Sequence, residues 1–174
     1  MHQIDVGLRS LEHPAYGGWG GRFVQEKPGA TNIWTDAQDE GSISKPIWRW
    51  ADAFQHDFAA RIAWTTQPWA KANHPPVARL AHPDRLTAKS GESFFLDASG
   101  SSDPDGDSLS YLWINYPEAG SLKTPIGSQG AENTRRIRFQ APPVTKPATA
   151  HFILAVSDKG QPSLTRYRRV IVSI

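Results

Sequence analysis

The sequence contains no cysteine and only one methionine. The missing cysteine excludes a disulfide framework and any thiolate metal site, but it does not assign a compartment, since exported proteins also manage without disulfides. No uninterrupted apolar run reaches the roughly 18 residues that a membrane span needs, so no membrane partner is expected. Met1 to Gly7 lack a basic stretch leading into an apolar one, and so show no signal peptide. Net charge is also scarce. Nineteen basic against seventeen acidic residues leave +2, too little to argue for nucleic acid. The clusters Arg135, Arg136, Arg138 and Arg166, Arg168, Arg169 lie on predicted strands, and solvated strand faces or charged edges account for them better than a phosphate-binding surface.

What is present favours turns and aromatics. Fourteen Gly and fourteen Pro in 174 residues suit a turn-rich β architecture, and the length allows one large domain, or a domain of about 100 residues with an extension. The seven Trp are the unusual count. Some must enter cores, and any left on the surface are candidates to stack on a sugar ring or a partner.

Asp97 to Trp113 reads as strand, turn, strand. In Asp103-Pro104-Asp105-Gly106-Asp107, Pro104 restricts φ, Gly106 tolerates φ > 0 and the Asp side chains bond nearby backbone, which together make a rigid reversal. The carboxylates of Asp103, Asp105 and Asp107 are candidate ligands for calcium; the alternative is a solvated acidic turn that caps amides. The block, with Tyr111 and Trp113 on the strand that follows, resembles PKD-like immunoglobulin-like domains, and the resemblance implies that Trp113 packs between two sheets.

Residues 1 to 44 read as irregular, with aromatics and glycines interleaved from Tyr16 to Phe23. From Pro46 to Thr65 the spacing predicts one long amphipathic helix, with Ser44 as N-cap and Ile47, Trp50, Ala51, Phe54, Phe58 and Ile62 as the stripe to be buried. If the stripe is not covered within one chain, a homo-oligomer through it is expected. His56 stands four residues from Asp52, a spacing that allows a surface pair. Three prolines between Thr66 and Pro76 then mark a boundary. Beyond it the period becomes two, with strands predicted at Val77–Leu80, Leu86–Lys89, Ser93–Leu96, Leu109–Asn115, Arg135–Gln140, Ala150–Ser157 and Tyr167–Ile174. The expected fold is therefore mostly β: an immunoglobulin-like β-sandwich over 73–174, preceded over 1–72 by a loop-rich segment with one long amphipathic helix.

Several stretches together resemble one family: Tyr16 to Arg22, Trp34-Thr35-Asp36, Ile47 to Trp50 with Phe54 to Arg61, Asn73-His74-Pro75-Pro76, Asp97 to Asp107, Tyr116 to Gly120 and Leu164 to Val170. The family is that of bacterial cellulose-binding proteins joining a nucleoside-hydrolase-like domain to a C-terminal immunoglobulin-like domain. The resemblance implies that residues 1–72 are the tail of the first domain, because its acidic calcium cluster has no counterpart before Asp36. It also implies a polysaccharide partner, a place in polysaccharide degradation and a secreted or periplasmic location.

Three functions follow. A noncatalytic binder of cellulose or a related β-glucan would use Trp19, Trp34, Trp48, Trp69 and Tyr116, which lie outside the strongest core positions, through apolar stacking. A glycoside hydrolase would need two carboxylates roughly 5 to 10 Å apart, with Glu12, Asp36, Asp39, Glu40 and Glu118 as the candidates in loops. A spacer or docking module would need no ligand.

Overall fold

The computed structural model describes residues 6–174; Met1 to Asp5, on which most of the signal-peptide reading rests, lie outside the described residues. The chain is mostly β, with several sheets and few helices. The described residues form eight strands: β1 (Phe23–Gln25), β2 (Trp34–Asp36), β3 (Arg85–Thr87), β4 (Ser93–Asp97), β5 (Ser110–Asn115), β6 (Arg136–Gln140), β7 (Thr149–Ser157) and β8 (Thr165–Ser173). A four-stranded sheet runs β3-β8-β7-β5, parallel only between β3 and β8, while β4-β6 and β1-β2 form antiparallel pairs.

The larger sheet and the β4-β6 pair share one apolar core. Trp113, Phe152, Leu154, Val156, Val170 and Val172 meet Leu96, Ile137 and Phe139 there, all buried. The rings of Phe139 and Phe152 touch across it, 4.5 Å between centroids. Trp113 is fully buried and donates from Nε1 to the carbonyl of Thr134 (3.0 Å), so its polar edge is satisfied within the core.

The predicted strand Val77–Leu80 is reduced to a single bridge between Val77 and Ser102. The Ser101 hydroxyl accepts from the Arg79 amide (3.0 Å) and donates to the Arg79 carbonyl (3.2 Å), so a side chain replaces the ladder partner. Upstream, where irregular chain is predicted, β1 and β2 pair instead, with Phe23 opposite Asp36.

The predicted single helix is two. α1 (Lys45–Trp48) stops and α2 (Ala51–Thr66) begins after Trp50, whose φ of −109° and ψ of 5° leave the helical region. The break lets Trp50 turn inward, edge-on to Tyr167 at 5.3 Å and to Tyr116 at 6.4 Å. Ser44, the predicted N-cap, makes no side-chain cap bond. The buried face of α2 also differs from the predicted stripe. Asp57 and Ala60 are buried beside Trp50, whereas Phe58 is 68% exposed and Ile47 and Ile62 are exposed too. Trp50, Ala53, Phe54, Asp57 and Ala60 recur at helical spacing, so the contact face includes a carboxylate. Asp57 is there because it forms ion pairs with Arg166 of β8 (2.8 Å) and with Arg61 (2.6 Å). His56 meets not Asp52 but the Ser163 carbonyl, at 3.0 Å.

Residues 6–50 and α2 cover the outer face of the four-stranded sheet. Val6, Leu8 and Trp50 share a second buried cluster with Tyr116, Ile153, Ala155 and Tyr167. At the edge, the Tyr167 amide donates to the Val6 carbonyl (2.8 Å), and Gly7, at φ +92°, passes so close that a Cβ there would stand 1.8 Å from the Tyr167 carbonyl oxygen. The arginines expected on solvated faces are partly drawn in by this cover: Arg169 is fully buried.

Candidate functional site

Of the five predicted stacking residues, two present broad open surface: Trp48 at 63% exposure and Trp69 at 74%. Trp69 lies in the single turn Trp69–Lys71, placed by the proline that precedes it. Its indole is stacked on His74, 3.5 Å between centroids and 28° between planes. Trp64 stacks on His74 as well, at 6.0 Å, and the Arg61 guanidinium lies over Trp64 at 5.3 Å. The Trp64 indole is fixed by its bond to the Asn73 carbonyl (2.7 Å).

His74 is buried and tied to the acidic turn: its amide donates to Asp105 Oδ2 (2.6 Å) and its Nδ1 lies 2.9 Å from Asp105 Oδ1. Against a desolvation that raises it, these contacts hold the Asp105 carboxyl below the usual range. The result is a braced aromatic: one face of Trp69 lies on an imidazole that a carboxylate locks, while most of the side chain meets solvent.

Trp48 ends α1 and borders a cleft of about 250 Å³ with Leu112, Ile114 and Ala155 along its walls. Leu112 is itself exposed, so this cleft is apolar on one side and lined by Arg49, Asp52 and Ser157 elsewhere. Trp34 is half-buried, with Nε1 bonded to Asn32 (3.0 Å) and its ring edge-on to His13 at 5.7 Å. Trp19 is partly buried against Phe54. Tyr116 corrects the prediction: it is fully buried and has no ring face to offer a sugar. Its hydroxyl donates to Asp39 (2.7 Å), and burial, before that bond, pushes its pKa above the ordinary phenol value.

The predicted acids have different surroundings. Asp39 is fully buried, held by Arg22 (2.8 Å), Arg49 (3.4 Å) and Tyr116, so it reaches no substrate. Glu12 is bonded to Arg9 and Glu40 to Lys45, and both carboxyls are held below the usual range, opposite to what a general acid needs. Asp36 lies exposed on β2, and Glu118 stands half-buried in the turn Pro117–Ala119.

The acidic turn is likewise divided. Asp103 Oδ1 accepts the amides of Asp105 (2.9 Å) and Asp107 (3.1 Å), and Asp105 is committed to His74, so the three carboxylates do not face one point. Among the described residues no three His, Cys, Asp or Glu side chains form a metal-holding group. The His74–Trp69 stack had a sequence signal in the Trp69 to His74 spacing around a proline-rich hinge, but its partner Asp105 lies 31 residues away and is joined only by the fold.

Residues 93–174 match the family described as Cellulose-binding protein Sde0182, C-terminal domain. A solved structure of a nucleoside hydrolase-related hypothetical protein from Saccharophagus degradans, associated with carbohydrate metabolism, is similar at 32% identity with a TM-score of 0.82. The match covers 97% of this chain and 44% of that one, so the chain spans less than half the length of that protein. No curated protein matches. The resemblance read from the motifs is therefore found in both the family model and the solved structure.

Proposed function

On the premise of that likeness to a cellulose-binding domain, we propose that this chain binds polysaccharide, cellulose or a related β-glucan, without cleaving it. The observation that carries the reading is Trp69, exposed yet pinned on His74. A pyranose ring offers a flat C–H face that gains by covering an aromatic, and a ring already held in place loses little side-chain entropy on binding. Trp48 beside its cleft is a second contact of the same chemistry. The same reading includes an immunoglobulin-like sandwich over 73–174, supported by the shared core around Trp113, and a secreted or periplasmic location, where such a polymer is met.

The test is retention on insoluble cellulose. The wild-type chain is expected in the bound fraction, and Trp69→Ala is expected to weaken retention at least about tenfold, the scale of one lost aromatic contact. Trp48→Ala is expected to weaken it less. Wild-type protein that stays in the supernatant, or a Trp69→Ala/Trp48→Ala double variant that binds as well as wild type, would sink the proposal.

A further inference from the structure

The outward face of the β4-β6 pair is a grid of six side chains. Phe94, Leu96, Ile137 and Phe139 turn into the core, so alternation sends Ser93, Phe95 and Asp97 outward on β4 and Arg136, Arg138 and Gln140 outward on β6. The register sets Ser93 opposite Gln140, Phe95 opposite Arg138 and Asp97 opposite Arg136. Phe95, in the middle, is 47% exposed, and the Arg136 guanidinium lies over its ring at 4.4 Å.

The chain itself does little to satisfy these two arginines. Arg138 donates from Nη2 to the Ser93 hydroxyl (2.8 Å), a neutral acceptor, and among the described residues it forms no ion pair. Arg136 has Asp97 at 3.7 Å from Nε, beyond hydrogen-bond reach, and its side chain is 61% exposed. Arg9, Arg22, Arg61 and Arg166, by contrast, each meet a carboxylate at 2.8 Å or less. Ring and hydroxyl thus hold the two guanidinia in place and leave most of their N–H donors unused. Residues two apart on a strand stand about 7 Å apart, so the row offers two forks in line. Such a fork matches the two oxygens of a carboxylate, and a neutral hydroxyl gains about half as much from it.

We propose that this face binds an acidic polysaccharide through the carboxylates of its uronate units, with Arg136 and Arg138 as the forks and Phe95 giving a sugar ring an apolar contact beside them. The choice of a glycan to carry the carboxylates rests on the polysaccharide reading above. Charge argues against nucleic acid: a DNA duplex carries one phosphate charge per about 1.7 Å, whereas the whole chain has a net charge of +2. The face is separate from Trp48 and Trp69, which belong to α1 and to the turn after the proline hinge.

Calorimetry with polygalacturonate tests this, with polyuridylate as a phosphate polymer for comparison. The wild-type chain is expected to bind polygalacturonate at least about tenfold more tightly than polyuridylate. Arg136→Ala/Arg138→Ala should weaken polygalacturonate binding at least about tenfold, the scale of two exposed ion pairs, and Arg136→Lys/Arg138→Lys should recover only part of it. Arg85→Gln, which removes an exposed charge from the other sheet, should change nothing. In a Trp69→Ala/Trp48→Ala background, carboxymethylcellulose should bind at least about tenfold more tightly than hydroxyethylcellulose, a neutral form of the same backbone. The two readings separate: Arg136→Ala/Arg138→Ala should stay on insoluble cellulose, and Trp69→Ala should keep its affinity for polygalacturonate. No binding heat with polygalacturonate overturns the proposal. So does equal binding of polyuridylate, equal binding of the two cellulose ethers, or wild-type affinity in a folded Arg136→Ala/Arg138→Ala chain.

Discussion

Arg169 Nη1 lies 3.2 Å from His151 Nδ1, and both side chains are buried between the four-stranded sheet and the N-terminal segment. Three main-chain carbonyls accept from this guanidinium, Leu8 at 2.8 Å from Nε, with Tyr16 at 2.7 Å and Gly17 at 3.2 Å from Nη2, and it lies over the rings of Tyr16 and Tyr116 at 5.2 and 5.6 Å. Burial lowers the Arg169 pKa to about 10, which leaves the side chain charged at neutral pH. A strand residue thereby ties down three points of a segment that precedes it by some 150 residues.

Arg169→Met removes the donor and leaves those carbonyls buried without one. The expected loss is about 3–5 kcal/mol, together with faster proteolytic cleavage between Leu8 and Arg22. Arg169→Lys should recover only part, because an ammonium cannot span the same fork. Urea unfolding and limited proteolysis measure both; wild-type values for Arg169→Met would show that the segment is held otherwise.

His151 sets an acid-side dependence. Burial first, then the charge of Arg169, lowers its pKa from 6.5 to about 3. Between those values the unfolded chain binds a proton that the folded chain refuses, so stability falls as pH drops below about 6.5 and stops falling on this account near pH 3. The contribution approaches about 1.4 kcal/mol per pH unit. His151→Asn keeps an acceptor for Arg169 and should flatten the pH profile of unfolding free energy over this window. An unchanged slope would refute the assignment.

Asp57 and Arg166 join α2 to β8 at 2.8 Å, with the carboxylate almost wholly buried. Asp57→Ala strands Arg166, and because Arg61, its other partner, is more than a third exposed, the expected cost is about 2–3 kcal/mol. A double-mutant cycle with Arg166→Met should return a coupling of about 1 kcal/mol or more. Additive effects would mean that helix packing, not the ion pair, holds α2.

Tyr116→Phe removes the hydroxyl that donates to Asp39 at 2.7 Å. A bond to a charged acceptor is worth about 1.5–3 kcal/mol, so a Tm loss of several degrees is expected. Retention on cellulose should not change, since the ring is buried. Lost retention in a folded Tyr116→Phe chain would contradict this separation of core from binding surface.

The β half was legible because its signals are local. Alternation in Phe152, Leu154, Val156 and in Val170, Val172 places them in the shared core, and the Asp103 to Asp107 reversal follows from turn chemistry. One signal was present but easily passed over. From Ala150 to Val156 the chain is buried at every position, including the residues between the alternating ones, and such a run marks a strand covered on both faces. It announces the N-terminal segment on the outer face of the sheet.

By itself, then, the sequence determined most of the strands beyond Arg85 and the acidic turn, that Trp113 is core and that the motifs resemble a cellulose-binding family, because these signals lie in short local stretches. Tertiary structure decided which aromatics are open, Trp69 and Trp48 rather than Tyr116, and which charges go inside, Asp57, Asp39 and Arg169. Burial is a property of contacts between distant segments: Asp57 and the adjacent Phe58 carry no mark of which will face the sheet until Arg166 stands opposite the carboxylate.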